Sequence, residues 1–252
     1  MRLYNRLLLS VLFLLSIGCT KTTYDSTSAS TPLYTEYYTI QVGQSMLYRL
    51  DSTVLLSFGS DTVTHTYLQK DSVMSVTTDL TGNLLYTVNS YIKPYTGDIQ
   101  WTYLTSYRVT PKVQTLELVD ANNLRFVKMA SPVTENFSWD GNNYFMQGYT
   151  ASTDDALSIY QDWNYQYTNV DSTITLTTGT FPNGVTVKEV DTEVGGPFDP
   201  AYYYSRTFSE ESYAKGWGLI HRKQLFLIWQ NSTSTTGYED DSYGIELTRV
   251  QQ

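Results

Sequence analysis

The chain has 252 residues, with 16 basic and 25 acidic side chains and a formal net charge of −9 at pH 7. Proteins that bind nucleic acids neutralise phosphates with clustered basic side chains, so this acidic balance excludes that class. The only cysteine is Cys19, which excludes disulfides within the chain and cysteine-rich zinc sites. The 23 tyrosines, together with many Thr and Val residues, are typical of strands and predict an all-β protein.

The first nineteen residues are organised like an export signal. Arg2 and Arg6 precede an apolar run at 7–17. That run is shorter than the roughly 20 residues of a membrane-spanning helix, so we interpret residues 1–18 as a signal peptide. The run ends with Ser16, Ile17 and Gly18 directly before Cys19.

This ending resembles the bacterial lipobox. The resemblance implies that the thiol of Cys19 receives a diacylglycerol, that cleavage follows Gly18 and that the new amino group is acylated. Two or three acyl chains anchor a protein firmly in a membrane. Because Thr20 is not acidic, the resemblance also implies the outer membrane as destination. An ordinary secretory signal with a cysteine near its end is the alternative.

The residues after Cys19 predict a tether followed by one domain. Residues 19–33 are the lipidated cysteine and a Thr- and Ser-rich flexible tether, and residues 34–252 form a single β-rich domain. Cleavage after Gly18 removes Arg2 and Arg6, which leaves 14 basic and 25 acidic residues and a net charge of −11.

Alternating polar and apolar residues, separated by turn-forming residues, predict a succession of strands. The predicted strands span residues 34–41, 45–58, 63–70, 84–92, 99–109, 113–119, 124–129, 165–177, 185–190, 202–208, 219–230 and 244–250. In the strand at 99–109, the pattern predicts one shared face for Ile99, Trp101, Tyr103, Tyr107 and Val109. The run 225–229 is apolar throughout, so we expect it in the centre of the sheet. One short helix is predicted at 153–163, with Ser152 as its N-cap.

Strands joined by short turns favour an antiparallel meander, and such sheets curl to protect their edges. The predicted fold is all-β: an antiparallel meander forming a strongly curved sheet or a partly open barrel, with at most one short helix. A two-sheet β-sandwich is the alternative. Asp140 and Gly141 predict a tight turn between two aromatic strands. The stretches 51–59 and 171–179 share residues at an offset of 120 positions, which leaves an internal duplication open.

Known catalytic and metal-binding patterns do not occur in the sequence. His65 and His221 lack the spacing of a metal motif, and the chain has no Gly-x-Ser-x-Gly elbow. The acidic pairs at 154–155, 210–211 and 240–241 are predicted to be solvated charges in loops or at a helix start. Asp140, Asn142 and Asn143 offer three oxygens, whereas calcium takes six to eight. We therefore predict no catalytic residue, no metal and no cofactor.

Four Asp-Ser/Thr triplets begin at Asp51, Asp61, Asp71 and Asp171. They resemble the O-glycosylation acceptor of Bacteroidota envelope proteins, and the resemblance implies glycans on Ser52, Thr62, Ser72 and Ser172. Asp beside Ser or Thr is also ordinary turn chemistry, which is the alternative. The stretch 213–220, with Gly216 and Gly218 on either side of Trp217, is similar to one found late in uncharacterised lipoproteins of the Bacteroidota.

These observations predict a lipid-anchored lipoprotein of the outer membrane, either periplasmic or surface-exposed, with a non-catalytic β domain. Its partners are the membrane, through the acyl chains, and a glycan, peptide or protein bound by aromatic side chains. The candidate ligand-binding residues are Trp163, Tyr165, Tyr202, Tyr203 and Tyr204. The alternative is a carrier of a lipid or another apolar ligand in a barrel-like cavity. A carboxylate-dependent hydrolase ranks last.

Overall fold

The computed structural model describes residues 32–57, 59–148, 157–232 and 236–251. The predicted signal peptide, Cys19, nearly all of the tether and residues 153–156 of the predicted helix lie outside the described residues. No helix in the described ranges is long and apolar enough to cross a membrane.

The described chain consists almost entirely of strands. They are β1 (Ser45–Leu56), β2 (Asp61–Thr78), β3 (Leu84–Pro94), β4 (Thr102–Pro111), β5 (Thr115–Val119), β6 (Arg125–Ala130), β7 (Ser138–Trp139), β8 (Tyr165–Leu176), β9 (Gly179–Val194), β10 (Tyr204–Ala214), β11 (Gly218–Asn231), β12 (Thr236–Tyr238) and β13 (Tyr243–Arg249). The helical elements are a four-residue helix α1 (Asn143–Met146) and two 3-10 turns, Tyr34–Glu36 and Ser158–Tyr160.

All the strands belong to one antiparallel sheet. Its order is β6-β5-β4-β3-β2-β1-β13-β11-β10-β9-β8-β7, and the short β12 pairs with β11. The sheet curls until its two edges meet: the amide of Val127 in β6 donates to the carbonyl of Gly141, just after β7, at 2.8 Å. The Trp139 indole of β7 also donates to the Val127 carbonyl at 2.8 Å. The predicted antiparallel, partly open barrel is therefore confirmed, with one unsealed seam between β6 and β7.

The inward face of the barrel is filled by large side chains, with tyrosines prominent among them. The largest fully buried side chains of this core include Tyr34, Tyr37, Tyr48, Tyr165 and Tyr167. A buried phenol needs a hydrogen-bond partner. The Tyr167 hydroxyl donates to the Ala130 carbonyl at 2.7 Å and accepts from the Ala130 amide at 2.9 Å. This pair of bonds joins β8 to β6 across the seam.

The prediction of a strand at 34–41 is wrong. Tyr34 begins the 3-10 turn and Tyr37 caps its end, and both are fully buried. Residues three apart eclipse in a 3-10 turn, whereas in a strand they would point to opposite faces. The turn therefore inserts both rings into the core, which an extended segment cannot do.

The shared face predicted for 99–109 is also wrong in its first half. Tyr103 pairs with Tyr91 while Thr105 pairs with Ser90, so Leu104 is an extra residue in β4. Such a bulge changes the face to which the following side chains point. Val109 is 1% exposed, but Tyr103 is 55% exposed on the outside of the barrel.

Two further local predictions need correction. In the described part of the predicted helix, only Ser158–Tyr160 is helical, and it is a 3-10 turn. The short α-helix instead follows the Asp140–Gly141 turn, where a second aromatic strand was expected. The run 225–229 does lie centrally, since β11 pairs with both β10 and β13, but its Leu225 to Ile228 side chains remain only half-buried.

The two stretches of the suggested duplication have different conformations. Asp51 lies within β1 and pairs on both sides, with Thr66 and Glu246. Asp171 has a positive φ of 53° at an irregularity in the pairing of β8 with β9.

Candidate functional site

Four charged side chains meet inside the barrel, and we call them the interior charge cluster: Lys128, Glu189, Glu211 and Arg222. The Lys128 ammonium lies 2.5 Å from Glu189 Oε1 and 3.0 Å from Glu211 Oε1. The Arg222 Nε lies 2.6 Å from the same Glu211 oxygen. Both glutamates are 0% exposed. Two cations thus pair with two carboxylates that have no contact with solvent.

Strand alternation places these carboxylates. In β9, Val185, Val187 and Glu189 all face inward and are fully buried. Glu189 is the extra residue of a bulge in β9, because Ser209 pairs with Val190 and Glu210 with Lys188. The predicted solvated pair at 210–211 lies in strand β10 rather than in a loop, so only Glu210 faces outward. Sequence reasoning missed Lys128, Glu189 and Arg222; the alternation of Val185, Val187 and Glu189 was the available signal.

Burial and pairing act in opposite directions on the two glutamates. Burial raises the pKa of Glu189, and Lys128 opposes this only in part. Burial also acts to raise the pKa of Glu211, but Arg222 and Lys128 outweigh it and lower that pKa to about 2. Glu189 also accepts from the Ser209 hydroxyl at 2.6 Å, and Glu211 accepts from the Tyr213 hydroxyl. The cluster therefore ties β6, β9, β10 and β11 together.

A further buried carboxylate, Asp71, lies in β2. Asp71 in β2 accepts hydrogen bonds from the Gln69 amide at 2.9 Å, the Ser90 hydroxyl at 2.6 Å and the Tyr107 hydroxyl at 3.0 Å. Burial, followed by the negative charge of Asp71, raises the pKa of Tyr107 well above its usual value. Tyr107 therefore stays protonated and acts as a donor to Asp71.

The interior leaves little free volume between these groups. A cavity of about 30 Å³ lies between the 38–48 segment and the wall formed by Tyr107, Leu116 and Trp217. To hold one water molecule, a cavity needs roughly 10–15 Å³ of space for the centre of a water-sized sphere. This cavity therefore has room for about two waters.

A larger pocket opens beside the seam, and we call it the seam pocket. It has a volume of about 150 Å³ and is lined by Leu118, Asp120, Phe126, Lys128, Tyr160, Trp163, Arg222 and Gln224. The Phe126 and Tyr160 rings are 5.5 Å apart, and the Tyr160 and Trp163 rings 5.2 Å. Lys128 and Arg222 line both this pocket and the inner cavity. The two cations of the interior charge cluster thus line an aromatic pocket.

The structure brings two of the predicted ligand-binding residues together. Trp163 lines the seam pocket, and the Tyr165 ring lies 6.3 Å from it. Tyr165 itself is fully buried, with its hydroxyl donating to Asn142 Oδ1 at 3.0 Å and its ring 5.7 Å from the Lys128 ammonium. Tyr165 therefore packs beside Trp163 and Lys128, which line the pocket.

The other three candidates form a separate group. Tyr202 and Tyr203 are exposed, whereas Tyr204 is buried and packs on Phe198 with ring centroids 5.3 Å apart. The Trp229 ring lies at the same distance from Phe198, 5.3 Å. Tyr204 is therefore a packing residue in this structure.

The residues considered as metal ligands are engaged within the protein. His221 Nε2 lies 3.0 Å from Glu246 Oε1, and the His65 ring packs beside Tyr67. Asn142 is buried, donates to the Tyr160 carbonyl at 3.1 Å and accepts from Tyr165. Across the described ranges, no group of three or more His, Cys, Asp or Glu side chains is placed to hold a metal ion.

No protein-family model matches the chain, and the comparison with curated proteins gives no match. Among solved structures, the chain is similar to a Bacteroides fragilis protein that is thought to be exported and has a YmcC-like fold. The two are 10% identical, the alignment covers 84% of this chain and 96% of the other, and the TM-score is 0.32. At that identity and TM-score the similarity does not extend to any residue or ligand.

Proposed function

We propose that the protein is a lipid-anchored lipoprotein of the outer membrane whose non-catalytic barrel binds a glycan in the seam pocket. The anchor is supported by the sequence of residues 2–19, in which a basic start and a short apolar run lead to Cys19. The observation that carries the binding function is the seam pocket, where aromatic and polar side chains converge beside an unpaired edge of the sheet.

The size and the lining of the seam pocket suit a sugar ring. A protein cavity of about 150 Å³ is known to hold one six-membered ring, benzene. The apolar faces of sugars pack on aromatic rings, which Trp163 and Tyr160 supply, and their hydroxyls bond to polar groups such as Gln224 and Asp120. The Trp163 indole donates to the Ile159 carbonyl at 2.7 Å, which fixes the ring in position. A fixed ring loses less entropy when the ligand binds.

The charges that line the seam pocket favour an uncharged ligand. Lys128 and Arg222 already pair with Glu189 and Glu211. An anionic group entering there would compete with both carboxylates. We therefore infer that the group entering the seam pocket is a neutral sugar unit.

The carrier function is supported less well. Pockets for drug-sized ligands have volumes of about 300–1,000 Å³. The inner cavity, at about 30 Å³, is about a tenth of the lower end of this range.

Glycan binding is tested with the full chain purified in detergent. The chain is first screened on an array of cell-wall fragments and bacterial surface oligosaccharides. The affinity of each glycan that binds is then measured by tryptophan-fluorescence titration. Trp163→Ala is expected to weaken binding about tenfold, which corresponds to about 1.4 kcal/mol. Trp101→Ala is the matched control, because Trp101 lies on the outer face between Lys70 and Lys93. A chain that binds no glycan, or equal losses in the two variants, would contradict the proposal.

The anchor is tested separately. Cys19→Ser is expected to abolish labelling with a radioactive fatty acid and to release the protein from membranes. A variant that remains membrane-bound and labelled would contradict lipidation at Cys19.

A further inference from the structure

A second pocket lies on the outer face of strands β3 to β6, and we call it the outer basic pocket. Its volume is about 190 Å³, and it is lined by Asp79, Leu85, Arg108, Thr110, Lys112, Glu117, Val119, Asn123 and Arg125. Three cations are thus gathered in one concave site of an acidic chain whose net charge is −9.

The register of the sheet brings two of these cations onto one line. Arg108 in β4 pairs with Val119 in β5, and Val119 pairs with Arg125 in β6. Directly paired residues share a face, and neighbouring strands lie about 4.8 Å apart. The Cα atoms of Arg108 and Arg125 are therefore about 10 Å apart on the same face. Their long side chains can reach one group held between them.

One of the three cations has a clear structural role. Glu117 is buried beneath the pocket, and the Lys112 ammonium lies 2.6 Å from its Oε1. The Tyr144 hydroxyl donates to the same oxygen at 2.6 Å. Lys112 and Tyr144 both contact Oε1 of this carboxylate, so Lys112 is the cation that pairs with it most closely.

The two arginines are left with weak partners. Arg125 lies 3.9 Å from Glu117 Oε2, beyond hydrogen-bond distance, and its side chain is 48% exposed. The Arg108 guanidinium donates to the neutral Asn123 amide oxygen at 3.1 Å, and no carboxylate of the described ranges pairs with it. Asp79 lines the pocket, but both its oxygens accept hydrogen bonds from Thr81 and Asn83 in its own turn. Arg108 thus has no carboxylate partner in the described ranges, and Arg125 has only the long contact with Glu117.

We propose that the outer basic pocket binds a phosphoryl group carried on a saccharide or a lipid headgroup. A phosphate monoester carries a charge of about −1.5 to −2, and the three cations of the pocket exceed its two carboxylates, Asp79 and Glu117, by one positive charge. The guanidinium fork matches phosphate oxygens geometrically, Lys112 adds a point charge, and the Thr110 hydroxyl is a further donor. This site does not depend on the seam pocket, which lies on the opposite face of β5 and β6.

The test is a phosphorus NMR titration of inorganic phosphate with the full chain in detergent, at constant ionic strength. Saturable binding in the millimolar range is expected, and Arg108→Gln with Arg125→Gln is expected to weaken it at least tenfold. Lys70→Gln with Lys93→Gln removes the same charge from the outer face near Trp101 and is expected to have no effect. Linear, unsaturable broadening, or equal weakening by both double variants, would overturn the proposal.

Two further probes identify the source of the phosphoryl group. Glycerol 3-phosphate represents the headgroup of a phosphatidic acid, and a hexose 6-phosphate represents a phosphorylated saccharide. Tighter binding of either one than of inorganic phosphate supports the site and names its source. Failure of all three phosphates to compete with one another would overturn it. Trp163→Ala leaves this site intact, so its result is independent of glycan binding.

Discussion

Replacement of Lys128 by Met tests whether the interior charge cluster holds the barrel together. Lys128 is 6% exposed, and its ammonium contacts both Glu189 and Glu211. Methionine has a similar length and adapts to irregular space, so the packing is largely kept while the charge is lost. Glu211 retains Arg222 at 2.6 Å. Among the described residues, Glu189 retains only the Ser209 hydroxyl, because its other partner is Lys128.

Removing one partner of a buried ion pair typically costs about 3–5 kcal/mol, because a charge is left without compensation. We expect Lys128→Met to lower the free energy of unfolding by that amount. Glu189→Gln keeps the shape and the bond to Ser209 but removes the charge that Lys128 neutralises. The double variant is therefore expected to be at least about 1.5 kcal/mol more stable than Lys128→Met alone, a coupling within the range for contacting residues.

The free energies are measured by urea unfolding followed through tryptophan fluorescence. The cost of Lys128→Met should also depend on pH. Without Lys128, burial raises the pKa of Glu189 further, so this variant is least affected below about 4.5, the usual pKa of a glutamate. Stability is then lost as the pH rises through the folded-state pKa. A cost below about 1 kcal/mol, or single-variant costs that simply add in the double variant, would refute the reasoning.

Three further predictions concern the same core. Tyr213→Phe removes the hydroxyl that donates to the buried Glu211, so the free energy of urea unfolding should fall by about 1–3 kcal/mol. Tyr103→Phe, on the exposed face, should lower it by less than about 0.5 kcal/mol. Equal losses in the two variants would contradict this reasoning. Gly141→Ala places a Cβ atom against Cε2 of the fully buried Tyr165 ring. The free energy of unfolding, followed by thermal melting, should therefore fall by about 1–3 kcal/mol. An unchanged melting temperature would count against the packing described. Arg222 and Lys128 lower the pKa of Glu211 to about 2 against the effect of burial. The contribution of Glu211 to the stability of the fold is therefore fully present above about pH 4.5 and is lost as the pH falls to about 2. Acid unfolding of Glu211→Gln should lack this part of the transition.

The strand pattern was predictable where side chains alternate regularly between core and solvent. In β1, Met46, Tyr48 and Leu50 are buried and the residues between them are not, and the predicted strand starts at the observed residue. The strands predicted at 113–119 and 124–129 are likewise observed as β5 and β6, and Asn123 in the turn between them adopts a positive φ of 62°. Asparagine is among the residues that tolerate this conformation. Local chemistry determines both features, so the sequence contains them.

Tertiary contacts determine the features that were missed. The 3-10 turn at Tyr34 exists because two rings fill the barrel, and the extra Leu104 reverses the exposure of Tyr103 in an otherwise alternating strand. Both are invisible to a two-residue period. For the candidate site, sequence analysis predicted Trp163 but not the charged residues beside it. Lys128, Glu189 and Arg222 meet only when β6 approaches β9 and β11 across the barrel, and no local pattern contains that contact.

The hairpin of β5 and β6 is the element on which both proposed sites depend. Its inner face contributes Leu118, Phe126 and Lys128 to the seam pocket, and its outer face contributes Glu117 and Arg125 to the outer basic pocket. On the inner face, Lys128 pairs closely with the buried Glu189 and Glu211. On the outer face, Arg125 lies 3.9 Å from Glu117, and Arg108 donates to the neutral Asn123. Because β6 pairs with β5 alone, its free edge is held to β7 and β8 by the bonds of Val127 and Ala130 rather than by a full ladder. The edge of the barrel that is least secured by backbone pairing therefore carries both proposed sites, one on each face.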